Sequence, residues 1–200
     1  MSLSVSPRMA RVRPSPTGAV LALTAKLRAQ GRDIISLGAG EPDFDTPQYI
    51  KDAAVRAIAD GQTKYTPIDG TAELKAAIQA KFARDNGLQY GIPQIVVTSG
   101  GKQALYNLCI ALLGPGDEVI IPAPYWVSYP DMVLLAEAEP VIVETGIEQN
   151  FKMTPAQLAG ALNDKTHLVV LNSPSNPTGA SYTRAELQAL VDVIEGFPHS

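Results

Sequence analysis

Cysteine is nearly absent: Cys109 stands alone among 200 residues. No internal disulfide can form, and on the apolar side of a helical pattern the thiol reads as a core residue in a reducing cytoplasm. Histidine is almost as scarce. His167 and His199 are far apart, and no Cys/His/carboxylate spacing suggests a metal site. Apolar runs stop far short of the roughly 20 residues of a membrane span, and the first residues lack the charged start and apolar stretch of a secretory signal. Basic clusters are missing too: the net charge is −4, and Arg8, Arg11 and Arg13 are scattered, which argues against nucleic acid as a partner. There is no Gly-x-Ser-x-Gly elbow, and Ser99 has no candidate base close by. Gly38-Ala39-Gly40 lacks the third glycine and the following helix of a dinucleotide-binding turn.

What is present is an ordinary globular composition, 46% apolar and 18% charged, enough for one large domain or a domain and a half. Residues 1–16, with Pro7, Pro14 and Pro16, read as an extended arm that packs on something else. A helix is expected over 19–30, ended by Gly31, then a short buried strand Ile34–Leu37 that enters the specific loop Gly38–Phe44. A second helix follows Pro47, with Thr46 as its N-cap, and a third runs from about Thr71 to Asn86 with Gly87 behind it. From Ile95 onward the texture becomes a strict alternation. Strands at 95–98, 118–121, 140–144 and 167–171 are each followed by an amphipathic helix, at 102–113, 127–136, 155–162 and 184–195. Such βα units predict an α/β fold, a mainly parallel sheet covered by helices on both faces.

Ligands on such sheets sit at the carboxyl ends of the strands. Three unusual loops begin there, Ser99–Lys102, Pro122–Trp126 and Asn172–Gly179, and they should converge on one crevice. Strand, glycine turn and helix N-terminus leave backbone N–H groups free for a phosphate at Gly100 and Gly101, with the Lys102 cation in the same turn. The plainer reading is a βα connection with a solvated lysine. Likewise Trp126, the only tryptophan, could be a core or subunit-contact residue, Asn176 before Pro177 an Asx turn, and Tyr65 a half-buried tyrosine. Together, a phosphate cradle, one large flat aromatic and an amide suit a planar aromatic phosphate ester. Nucleotide phosphate binding at 99–102 is the competing ligand class.

Six ordered motifs carry a resemblance: Gly-Glu-Pro-Asp-Phe-Asp-Thr-Pro (40–47), Lys-Tyr-Thr-Pro (64–67), Ser-Gly-Gly-Lys-Gln-Ala-Leu (99–105), Gly-Asp-Glu-Val-Ile (116–120), Pro-Tyr-Trp-Val-Ser-Tyr-Pro (124–130) and Asn-Ser-Pro-Ser-Asn-Pro-Thr-Gly (172–179). From Pro14 onward the chain resembles the N-terminal half of class I pyridoxal-phosphate aminotransferases of fold type I, most closely bacterial aspartate aminotransferases carrying Gly-Gly-Lys. The resemblance implies pyridoxal 5'-phosphate as cofactor. It places Gly100, Gly101 and Lys102 at the cofactor phosphate, Trp126 on the pyridine ring, Asn176 at its phenolic oxygen, and Tyr65 at the phosphate of a partner subunit's cofactor in a homodimer. Gly40, Trp126 and Asn176 would line the substrate, with Ser15, Thr17 and Lys102 favouring an acidic side chain. The peptides before Pro124 and Pro177 resemble the family's cis prolines.

The implied domains are an arm and small-domain portion over 1–47 and the first part of the large cofactor-binding domain over 48–200. The implied reaction moves an amino group from aspartate to 2-oxoglutarate. Another amino donor (aromatic, alanine, kynurenine), a β-lyase, or a non-catalytic binding module on this scaffold are the alternatives. The family's Schiff-base lysine, its pyridine-nitrogen aspartate and its carboxylate-clamping arginine have no match here. None of the eight lysines lies in the required context. The chain therefore reads as an N-terminal half, expected to be inactive as an isolated 1–200 polypeptide.

Overall fold

A computed structural model describes residues 4–197, so His199 lies outside the described residues. The chain divides into two compact units: 1–15 joined with 102–200, and 16–101.

The first unit is built on three parallel strands in the order β2-β1-β3: β1 (Glu118–Ala123), β2 (Glu139–Glu144) and β3 (Thr166–Val169). The helices are α4 (Gly101–Leu112), α5 (Ser128–Leu135), α6 (Pro155–Ala161) and α7 (Arg184–Gly196). The two-residue period of β1 sorts its side chains onto opposite faces. Val119 and Ile121 pack with Cys109 of α4 and with Met132 and Val133 of α5. Ile120 packs on the other side with Leu158 of α6 and Leu190 of α7. All three strand residues are fully buried. A parallel sheet with helices on both faces is thus what the alternation predicted. The chain goes from β1 to β2 on one side and returns to β3 on the other, so the strand order reverses beside β1. That reversal opens a crevice at the carboxyl ends of β1 and β3.

The arm is not simply extended. Pro7–Arg11 forms a 3-10 turn, and Arg11 donates to the Leu134 carbonyl at the end of α5 (3.5 Å) and to the Ala138 carbonyl (3.2 Å). Its guanidinium also pairs with Glu139, and Arg8 with Glu137 at 3.4 Å.

The second unit holds α1 (Pro16–Ala29), α2 (Gln48–Ala59) and α3 (Ala72–Lys81), the last continued by a π turn over Phe82–Asn86. Gly31 ends α1 with φ +79° and Gly87 ends the π turn with φ +67°, as their positions predicted. Three local expectations fail. Ile34–Leu37 is not a buried strand: Ile35 and Leu37 are 88% and 94% exposed. Ile95–Thr98 is also not a strand, although Ile95 is buried. β-branched runs become strands only by pairing, and neither run joins the sheet of the described residues. Thr46 does not cap α2; Pro47 occupies the N-cap position, with its carbonyl accepting from Ile50 and Lys51 (3.0 and 3.2 Å). A proline there brings a fixed φ and no N–H, which shifts the helix start one residue on.

Candidate functional site

β1 ends at Ala123, whose carbonyl accepts from both the Thr145 N–H (2.9 Å) and the Thr145 hydroxyl (2.6 Å). Thr145 is buried, so this double bond fixes where the chain leaves the sheet. Ala123-Pro124 is cis, as are Ser173-Pro174 and Asn176-Pro177. The first and third were expected; the second was not. Beyond Pro124 the chain presents Trp126, half-buried, with Tyr129 edge-on to it at 5.3 Å between ring centroids and 86° between planes. That arrangement holds the indole in one orientation.

Lys102, in the first turn of α4, places its Nζ 5.0 Å from the centre of the Trp126 ring. A cation over an indole face is a cation–π contact. It also marks a spot where positive charge and a flat aromatic surface meet, which suits a planar anion. The preceding Gly100 has φ +95°, and a Cβ at Gly100 or Gly101 would meet open space. Gly100 is therefore required by its backbone angle, and neither glycine is there to make room for packing.

The loop after β3 is internally tied. The Asn172 side-chain oxygen accepts from the Asn176 N–H (2.9 Å), Ser175 N–H donates to the Ala180 carbonyl (2.8 Å), and Tyr182 N–H donates to the Ser173 hydroxyl (3.0 Å). It is the Asn172 side chain, not that of Asn176, that ties the loop backbone, and it does so across four residues and not as an Asx turn. The Asn176 amide is exposed and makes no hydrogen bond among the described residues. Pro122 of β1, Pro124 and Tyr125 just beyond it and Tyr129 of α5 line, with Asn172, Ser175 and Asn176 of the other loop, a small cleft of about 20 Å³, room for about one water. Two of the three strand-end loops thus share a cleft, and the third contributes Lys102 through the Trp126 face. These residues fit an aromatic phosphate ester: a cation, a fixed flat ring and an uncommitted amide. Among the described residues no cluster could hold a metal ion, and no helix is long and apolar enough to cross a membrane.

The remaining candidates stand as follows. Ser15 is exposed at the end of the arm. In the other unit, Thr17 is half-buried in the first turn of α1, Gly40 lies in an irregular exposed loop, and Tyr65 is fully exposed. Sequence reasoning passed over Tyr129, which sits three residues after Trp126 on one face of a helical start, a signal that was there to be used. It also passed over Tyr182, whose hydroxyl accepts from the Met153 N–H (2.6 Å) and which no pattern singled out.

Behind this loop Glu186 pairs with Lys152 and closes the capping box of α7 through Thr183. The Lys152 bond and then the Thr183 bonds pull its carboxyl down from 4.5 to about 2. A depressed carboxyl contributes stability that is complete above pH 4.5 and is lost as pH falls toward 2. Glu186→Gln keeps a cap acceptor but no charge. Unfolding midpoints measured from pH 6 down to pH 2 should therefore fall less steeply for the variant; parallel curves would contradict the assigned cause.

The family model described as aminotransferase class I and II matches residues 32–198. An aspartate/prephenate aminotransferase of Nitrosomonas europaea is 56% identical over 98% of this chain and 49% of its own length, and one of Cereibacter sphaeroides is 60% identical over 97% and 48%. The crystal structure of a Thermus thermophilus aspartate aminotransferase with maleate superimposes with a TM-score of 0.93 at 48% identity, covering 97% of this chain and 51% of that one. The chain spans about half the length of the curated relatives it matches.

Proposed function

Because the chain belongs to the class I and II aminotransferases, we propose that the whole protein is a pyridoxal 5'-phosphate-dependent transaminase acting on aspartate and 2-oxoglutarate. The observation that carries this reading is the Lys102 cation over the oriented face of Trp126, beside a cleft walled by the Asn176 loop. When bound, the cofactor supplies an electron-withdrawing ring that stabilises negative charge at the substrate α-carbon.

The chain's own residues then have separable tasks. Gly100, Gly101 and Lys102 border the phosphate with no side chain in the way; the donors are the Gly101 N–H and the Lys102 cation, because the Gly100 N–H, expected to be free, donates instead to the Thr98 carbonyl at 2.8 Å. Trp126 covers one ring face and keeps water from it, and Tyr129 holds Trp126 in orientation. Asn176 donates its amide to the phenolic oxygen, which favours the ionised form of that oxygen. Tyr65 reaches the phosphate bound by a partner subunit in a homodimer. Gly40 lies beside the substrate, and Ser15, Thr17 and Lys102 receive an acidic side chain. In the whole protein 1–47 contributes arm and small domain and 48–200 the first part of the large domain, in the cytoplasm.

Both relatives compared above are named for prephenate as well as aspartate, and prephenate is itself a 2-oxo acid, so it is the second acceptor to assay. The test is turnover by the purified whole protein with aspartate, alanine or phenylalanine as donor and 2-oxoglutarate or prephenate as acceptor. Aspartate should give the highest kcat/KM. Lys102→Ala should lower the aspartate value by roughly 10–100-fold, the worth of a charge-assisted bond, and change alanine much less. No transamination with any donor would favour the non-catalytic module; equal losses on aspartate and alanine would confine Lys102 to the phosphate.

A further inference from the structure

Among the described residues one charged side chain is buried: Lys75, in the first half of α3, is 5% exposed. An ammonium removed from water needs compensation, and an apolar residue of similar length would cost less at that position. Its partner is Asp69, whose carboxylate is itself half-exposed. The Lys75 bond holds the Asp69 carboxyl below its ordinary range.

Asp69 belongs to a short turn that is fastened on three sides. Gly70 N–H donates to the Pro67 carbonyl at 3.1 Å and closes the turn. The Asp69 carbonyl accepts from Val97 N–H at 3.0 Å. Gly70 has φ +108°, and a Cβ on it would fall 2.5 Å from Val97 Cγ2, so the backbone of the turn lies directly against Val97. Two residues before Pro67, across Thr66, is Tyr65, whose own side chain is fully exposed. Among the described residues none packs against Tyr65; its direction is inherited from the turn. Val97, in turn, leads within three residues to Gly100.

We propose that the buried Lys75–Asp69 pair is a positioning device that clamps the 67–70 turn to α3, where the Asp69 carbonyl meets Val97, and so fixes Tyr65 for its phosphate contact. The proposal rests on the reading that Tyr65 meets the phosphate of a partner subunit's cofactor. Lys75 does not touch the phosphate; it acts through Tyr65.

A double-mutant cycle on the whole protein tests this, with the pyridoxal 5'-phosphate dissociation constant as readout and the unfolding midpoint followed in parallel. Tyr65→Phe should weaken cofactor binding about tenfold or more, the worth of a hydrogen bond to a charged group. Lys75→Met, which keeps length and apolar packing, should weaken it several-fold. The double variant should be no weaker than Tyr65→Phe alone, because the clamp has nothing left to position. Lys75→Arg should restore most of the affinity. Asp69→Asn should reproduce Lys75→Met, and it carries the cycle if Lys75→Met does not fold. A purely structural pair would lower the unfolding midpoint and give additive losses, which overturns the proposal. An unchanged dissociation constant for Tyr65→Phe overturns instead the reading on which it rests.

Discussion

Trp126→Leu is expected to weaken pyridoxal 5'-phosphate binding by about 5–150-fold with little change in unfolding temperature. Stacking of a planar ring on an aromatic side chain is worth about 1–3 kcal/mol by truncation, and each 1.4 kcal/mol is a factor of ten. Leucine is apolar enough to keep the contact with the cluster formed by Val119, Ile121 and Met132, against which Trp126 packs. It has no flat face for a pyridine ring, and it leaves Lys102 and Tyr129 without the surface they flank. Equilibrium titration gives the constant. Because Trp126 is the only tryptophan, its emission should also be quenched when the wild-type protein takes up the cofactor. A variant that binds as tightly as wild type would return Trp126 to the role of a packing residue.

Ile120→Ala carries the largest expected loss of stability, about 2–5 kcal/mol. Ile120 is fully buried in the central strand, and it holds the α6 and α7 side of the sheet through Met153, Leu158 and Leu190. The cost combines lost transfer energy with a cavity that two flanking strands and two helices cannot close. Each kcal/mol moves Tm by about 2–4 °C for 200 residues and by about half that for a chain twice as long, so thermal unfolding of the whole protein should shift by roughly 2–10 °C. Ile120→Val should cost far less, about 0.5–1.5 kcal/mol. A small shift for alanine would mean that the α6–α7 face is not packed as described.

The sheet was legible because its signal is local. β1, β2 and β3 are short apolar runs separated by helices whose caps are written in the chain, as at Thr154 and Thr183, which accept from the N–H three residues on. The runs at Ile34 and Ile95 have the same composition and are not strands, since strand formation depends on a neighbour that composition does not reveal. Trp126 and Asn176 were singled out through ordered motifs. Lys75 was not, because on a helix a lysine one turn from Thr71 looks like a solvated charge until its burial is seen. Thr145 was missed for the same reason: its bonds to Ala123 span 22 residues.

The docking of Arg11 has a consequence for synthesis of the chain. Arg11 leaves the ribosome 123 residues ahead of the Leu134 carbonyl that receives it. At about 5–20 residues per second the arm waits roughly 6–25 s for its acceptor. The first unit therefore takes in the 1–15 segment only after the intervening unit has been translated. A nascent chain stalled before residue 134 should leave Arg8 and Arg11 open to trypsin, and one released beyond Glu139 should protect them.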